Sequence, residues 1–200
     1  MQGKRLVLTA FSVAAMSLMQ PALANMMSVP MGWFLEANGG SAHLSNTNFQ
    51  GSTSSSGIGG NANLGYKFMP YVAGEVGYSR YPNTNIKTFS NGTTAGEIKH
   101  YSYGLSVRGI LPISDSGFEV FAKLGVQRMK ATISIQNAAA AASIGLGSSS
   151  HSSTGLYLGA GAQFYFMPEM AVVAQWQRAQ GSSGTGTEDL YSLGLSFIFN

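Results

Sequence analysis

The last twelve residues, Asp189 to Asn200 (DLYSLGLSFIFN), restrict the fold more than any other stretch of the chain. Tyr191, Leu193, Leu195, Phe197 and Phe199 alternate with Ser192, Gly194 and Ser196, which is the period of a β-strand with one oily and one polar face. An oily face that rich in aromatics does not belong on a water-exposed edge. It needs an apolar partner along its whole length, supplied by an oily core or by lipid.

The amino terminus bears on which of the two applies. Lys4 and Arg5 form a positive n-region, Leu6 to Met19 an apolar run, and Ala22-Leu23-Ala24 a small-x-small cleavage site. Residues 1–24 therefore read as a signal peptide, and residues 25–200 as the mature domain. The apolar run is broken by Gln20 and Pro21 before it reaches the roughly 20 residues of a spanning helix. Cleavage removes two of the 11 basic residues and leaves nine against eight acidic ones, so the high isoelectric point gives no reason to expect a nucleic-acid partner. Beyond Ala24 no apolar run approaches helical spanning length. An exported chain of this kind is either periplasmic or a membrane-spanning barrel.

From Gly32 onward about eight strand-like blocks alternate with polar connections: Gly32–Leu44, Gly57–Met69, Tyr71–Tyr81, Lys99–Leu111, Gly117–Ile135, Gly155–Phe166, Met170–Gln180 and Asp189–Asn200. Short proline-bearing turns (Phe68-Met69-Pro70, Pro112 to Ser116, Phe166 to Glu169) alternate with long connections (Ser45–Ser56, Pro82–Ile98, Gln136–Thr154), and Gly181–Glu188 is intermediate. Short turns at one end and long loops at the other, on an even number of strands, are the connectivity of a transmembrane β-barrel. The fold class expected is all-β, an eight-stranded antiparallel transmembrane barrel with short periplasmic turns and longer extracellular loops.

The faces agree. Ile58, Ala62, Leu64, Tyr66 and Phe68 share one side of the second block, and Gly59, Asn61, Asn63, Gly65 and Lys67 the other. In the fourth block Tyr101, Tyr103, Leu105 and Val107 oppose His100, Ser102, Gly104, Ser106 and Arg108. A soluble ligand-binding barrel would turn the oily set inward and need a charged exterior, yet only 10% of the residues are charged. Aromatics near the strand ends, among them Trp33, Tyr66, Phe68, Tyr71, Phe118, Tyr165 and Phe166, are expected to form an interfacial girdle on the short-turn side.

An eight-stranded barrel is just wide enough to be filled by its own side chains. By alternation Glu36, Lys67, Glu75, Arg108, Glu119 and Lys123 all point inward and lie toward the short-turn half. Sign alternates between neighbouring strands and the charges sum to zero, so an interior ion-pair network closing the lumen near the periplasmic side is expected. Arg108 and Glu119 flank one turn and are expected to face each other, so that Glu119→Gln would strand Arg108.

The signal peptide, the alternating blocks, the proline turns and the aromatic last strand, ending on Phe199 and Asn200, resemble the OmpA-like or opacity-protein-like family of small outer-membrane barrels. The resemblance covers the whole mature chain. It implies a surface protein of the Gram-negative outer membrane, structural or adhesin-like, without a cofactor. The partners it implies are outer-membrane lipid and lipopolysaccharide, the barrel-insertion machinery acting on the C-terminal strand, and a host receptor or glycan met by the loops. A narrow channel is the alternative, with a lipid A-modifying hydrolase a further one.

The hydrolase reading rests on His100 and Ser102, a His-x-Ser pair that resembles the catalytic pair of the lipid A deacylases, with Glu97 as the orienting carboxylate. In that family the pair lies late in the barrel and faces lipid, whereas here alternation turns it inward on the fourth strand. No catalytic residue is therefore assigned, and the chain is not expected to be an enzyme. His43 and His151 stand apart from clustered carboxylates, so no metal site is expected. Glu188 and Asp189 read as a solvated loop end, and Ala138–Ala142 with Gly145–Ser153 as a flexible low-complexity connection. The loops (SNTNFQGSTSSSG, PNTNIKTFSNGTTAG, GSSSHSST, GSSGTG) are rich in Ser, Thr, Asn and Gly and suited to hydrogen-bonding glycans.

Overall fold

A computed structural model describes residues 31–45, 56–87, 94–113, 116–143, 147–182 and 185–199. The expected signal peptide at 1–24 lies outside the described residues, as does most of the first long connection. The described elements are β1 (Gly32–Ser45), β2 (Ser56–Met69), β3 (Val72–Arg80), β4 (Thr84–Lys87), β5 (Thr94–Ile113), β6 (Phe118–Ile135), α1 (Ala138–Ser143), β7 (Ser149–Met167), β8 (Met170–Ala179) and β9 (Thr187–Phe199).

All strand pairings are antiparallel, and the sheet closes on itself. Going round, β1 pairs β2, β2 pairs β3, β3 pairs β5, and β5 to β9 follow in chain order until β9 returns to β1. This is a ring of eight strands, with short β4 pairing only the outer part of β5, from Thr84↔Ile98 to Lys87↔Thr94. The closing seam runs from Trp33↔Phe199 to Ser45↔Thr187. The C-terminal strand is therefore what turns an open sheet into a barrel without free edges.

The alternation seen in the sequence is the alternation of burial. Trp33, Leu35, Leu64, Tyr66, Leu105, Val107, Leu124, Val126, Leu193, Leu195, Phe197 and Phe199 are exposed on the outer wall, while Glu36, Asn61, Asn63, Ser106, Ser192 and Ser196 are buried in the lumen. Burying polar groups and exposing apolar ones is the reverse of a soluble protein and matches a barrel whose solvent is lipid. On the outer wall Trp33 packs edge-on against Tyr66, Tyr66 lies beside Phe68, and Phe118 beside Phe164, which gives the short-turn rim its aromatic belt. Tyr165 is not part of that belt. It points into the lumen and is buried, because it stands on the inner parity of β7.

The short turns follow their chemistry. Irregularities at Lys67/Met69 and Tyr165/Met167 precede the Pro70 and Pro168 turns. In the turn between β5 and β6, Gly117 has φ 72°, a left-handed value that favours glycine. At the other rim β5 and β6 pair as far as Gly96↔Ile135, and β7 starts at Ser149. The Ala138–Ala142 stretch, expected to be flexible, is instead helical. Alanine is the best helix former, and Asn137 caps the turn by accepting from the Ala140 amide at 3.1 Å, with Ala141 buried against β5.

Candidate functional site

All six charged residues expected in the lumen point inward and are buried, none more than 3% exposed. They form two neutral groups. In the larger one the Arg108 guanidinium donates to Glu36 at 2.6 Å and lies 2.7 Å from a Glu75 carboxylate oxygen, and the Lys123 ammonium lies 3.1 Å from Glu75 and 3.5 Å from Glu36. In the smaller one Lys67 donates to Glu119 at 2.8 Å. Gln163 joins the two, donating to Glu119 at 2.5 Å and accepting from Arg108 at 3.3 Å.

The expected facing of Arg108 and Glu119 does not occur. Glu119 sits opposite Pro112 in the ladder, and Arg108 sits opposite Lys123. Two like charges on adjacent strands are held there because Glu36 and Glu75 reach both of them. Removing the Glu119 charge thus strands Lys67 rather than Arg108. The Glu36–Arg108 and Lys67–Glu119 pairs each join strands three places apart in the ring, so they cross the lumen and tie one wall to another.

A buried ion pair is tolerated only when its remaining lone pairs and protons are also satisfied. Glu36 accepts from Asn38 at 2.8 Å, Asn63 at 3.0 Å and Gln175 at 3.2 Å, and Glu75 accepts from Ser106 at 3.0 Å. The central guanidinium carbon lies over the rings of Phe34 and Phe121, 4.9 and 4.4 Å from their centroids. Those two rings belong to an apolar layer with Ala73, Ile110, Tyr165, Ala171, Val173 and Ile198, residues near the short-turn ends of their strands.

Toward the long-loop side the polar filling continues as a neutral amide layer. Gln177 accepts from Asn61 and from the Tyr157 hydroxyl, both at 2.9 Å, and donates to Ser79 at 2.9 Å. A second apolar layer follows, of Ala42, Tyr81, Met129, Ala179 and Leu190. The cavity lined by Asn63, Glu75, Ser102, Ser106, Gln127 and Tyr157 measures only about 10 Å³, space for about one water. The lumen is thus filled in layers along its length, where sequence reasoning placed a charged plug toward one end.

His100 and Ser102 are both buried inside the barrel. The imidazole lies 3.9 Å from Glu188, and the Ser102 hydroxyl lies 3.3 Å from the Tyr81 hydroxyl. Glu97 stands on the outward parity of β5 and accepts from Asn83 and Gln136, so it does not orient His100. Nor are Glu188 and Asp189 a solvated loop end. Glu188 is buried in the mouth beside His100, while Asp189 faces outward and binds Arg178 through both oxygens, at 2.9 and 2.8 Å, and the Trp176 indole at 3.0 Å. The Asp189 ladder partners, Arg178 and His43, are what local alternation does not reveal. Among the described residues no cluster suited to a metal ion occurs.

Comparison with known proteins agrees with this architecture. Residues 6–199 match the family model described as the outer membrane protein beta-barrel domain. No curated protein matches the sequence. Among solved structures, the Neisserial surface protein A (NspA) is similar with a TM-score of 0.61 and 17% identity, covering 84% of this chain and 97% of that one. OprG from Pseudomonas aeruginosa is similar with a TM-score of 0.58 and 16% identity over 88% of this chain and 100% of its own. Ail, the attachment invasion locus protein of Yersinia pestis, solved in complex with the heparin analogue sucrose octasulfate, has a TM-score of 0.56 and 18% identity over 84% of this chain and 100% of its own. At those identities the likeness is one of fold. With a family match over almost the whole sequence, a closed ring of eight antiparallel strands, an oily exterior and a polar interior, the chain belongs to the outer-membrane β-barrel family and resides in the outer membrane of a Gram-negative cell.

Proposed function

We propose that this protein is a non-conducting surface barrel, exported by cleavage after Ala24 and inserted through its C-terminal strand, which holds its long polar loops outside the cell as an attachment surface. The observation that carries this reading is the filled lumen. Among the described residues, two neutral ion-pair groups, an amide layer and apolar layers on either side occupy the lumen. A barrel filled in this way acts on its surroundings through what it displays. The loops display hydroxyls and amides with few charges, groups that pair with sugar hydroxyls without a large desolvation cost. The similarly folded Ail, an attachment protein by name and bound to a heparin analogue, supports the same reading.

Two measurements test it. In planar bilayers the folded protein is expected to give no stepwise conductance, and discrete openings would remove the premise of a closed lumen. Cells displaying the protein are expected to adhere to glycan-coated surfaces, and to lose that adhesion when residues 46–55 and 83–96 are replaced by short Gly-Ser turns. Adhesion that survives the replacement would leave the barrel a structural one.

A further inference from the structure

The nine Lys and Arg residues beyond the signal segment are unevenly placed. Lys67, Arg108 and Lys123 are in the lumen, and Arg178 is held by Asp189. The remaining five, Arg80, Lys87, Lys99, Arg128 and Lys130, all lie on β3 to β6, on the long-loop side of the apolar band. We propose that four of them, Arg80, Lys99, Arg128 and Lys130, form a binding site on the outer wall for the phosphate groups of the lipid A that fills the outer leaflet.

The ladder sets the geometry. Arg80 lies opposite Tyr101, which lies opposite Lys130, so the three occupy one row across β3, β5 and β6. Arg128 lies opposite Tyr103 one step nearer the membrane centre, and Lys99, opposite Thr132, one step farther out. With strands about 4.8 Å apart, Arg80 and Lys130 stand roughly 10 Å apart across Tyr101. The Lys130 ammonium is 6.0 Å from the Tyr101 ring centroid, and the Tyr101 and Tyr78 rings are 6.2 Å apart.

Three features point to a lipid anion. First, none of the four cations makes an ion pair among the described residues, although like charges on neighbouring strands repel and a protein with 10% charge has little reason to cluster them. The nearest outward acid in the ladder, Glu97, is turned to Asn83 and Gln136. Second, the apolar wall begins directly below the cations, with Val76, Leu105, Val107, Leu124 and Val126 all more than half exposed. A ligand with phosphates above and acyl chains below fits both. Third, tyrosines at this depth, Tyr78, Tyr101 and Tyr103, are the side chains that settle at a headgroup boundary. On the other side of the barrel Arg178, the one outward Lys or Arg near the same boundary among the described residues, is already neutralised by Asp189.

The proposal rests on the orientation given above, long loops outside. The test uses the folded mature barrel in phosphatidylcholine nanodiscs, titrated with bisphosphorylated lipid A and with the same lipid after its phosphates have been removed. Each cation at a headgroup phosphate contributes about fivefold in affinity. The wild-type protein is expected to prefer the phosphorylated lipid by about tenfold or more, and R80Q/K99Q/R128Q/K130Q to lose that preference. A gel shift on boiling reports whether the variant is folded. Should it not fold, R128Q/K130Q decides, with at least a fivefold fall expected. Equal binding of the two lipids by the wild type, or a preference kept by a folded variant, overturns the site. So does tight binding of a soluble sulfated saccharide by these residues in the absence of any lipid A preference, an outcome that leaves the attachment reading standing. If protease added to intact cells spares the loops, it is the orientation that has failed, not this site alone.

Discussion

Arg108→Met is expected to lower the unfolding free energy by about 3–5 kcal/mol, the cost of leaving buried charges without their partner. The Arg108 guanidinium is 2.6 Å from Glu36 and 2.7 Å from Glu75, both of them almost wholly buried. Without it, two carboxylates share the single charge of Lys123 beside a cavity with space for about one water. The measurement is a urea titration of the barrel folded into phospholipid vesicles, with the folded fraction read by gel mobility. Adding Glu75→Gln to the same chain should restore much of the loss, since one carboxylate and one ammonium then remain. A coupling of this kind is what a double-mutant cycle isolates. An unchanged midpoint in Arg108→Met would mean that water reaches Glu36 and Glu75, and that the lumen is open.

Leu195→Arg tests the other face. Leu195 is 52% exposed at the middle of the outer face of β9, beside Ala37 of β1 and Val172 of β8. If that face meets hydrocarbon, an arginine there costs about 2–4 kcal/mol, whereas the cost near the interface falls to about 0–1 kcal/mol. Ser41→Arg, outward and next to Tyr191 near the long-loop rim, supplies the interfacial comparison. The same vesicle titration reads both. Equal and small effects at the two positions would show that the outer wall is bathed in water along its whole length.

The faces were legible in the sequence and the partners were not, for one reason. Side-chain direction in a strand has period two, so counting from Tyr191 or Tyr101 assigns inside and outside without any knowledge of the neighbours. All six lumen charges follow from that count. Which charge meets which depends on strand tilt and on the stagger of the closed ring, properties of the whole barrel. For that reason Arg108 and Glu119, near in sequence, are apart in space, while Arg108 and Glu36 meet across the lumen. Local pattern also failed where the outward face is polar. Thr94 to Ile98 and Ser149 to Thr154 lack an oily outer face and read as loop, yet they extend β5 and β7 because pairing with β4 and β6 continues past the apolar band, with Ile98 packed inward against Ile86 and Ala131. Glu188 was misread for a related reason. The residue looks like part of the preceding Gly181–Thr187 loop, but its ladder partners Leu44 and Ala179 place it inside the barrel mouth.

The apolar layers of the lumen were hidden for a different reason. Phe34, Phe121, Tyr165 and Ile198 are inward residues in strands whose outer faces are also oily, so they weaken the alternation and look like noise. In the barrel they have a definite use. The Arg108 guanidinium lies over the rings of both Phe34 and Phe121, and the Lys123 ammonium is 5.3 Å from the centroid of the Phe121 ring. Aromatic faces set against a buried cation in this way attract it through their ring quadrupoles.

The central claim is a closed barrel that lives in lipid with its oily face outward, and gel mobility tests it most directly. The mature chain is taken from an outer-membrane fraction and run with and without boiling in detergent. Because each strand of the ring pairs on both sides, the backbone hydrogen bonds are satisfied internally, and detergent alone has little purchase on them. The expected result is a compact, fast-migrating band that shifts only after boiling. A chain that runs identically in both lanes and is recovered from the soluble periplasmic fraction would contradict the claim, for the face bearing Leu193, Leu195 and Phe197 would then have to be the inside.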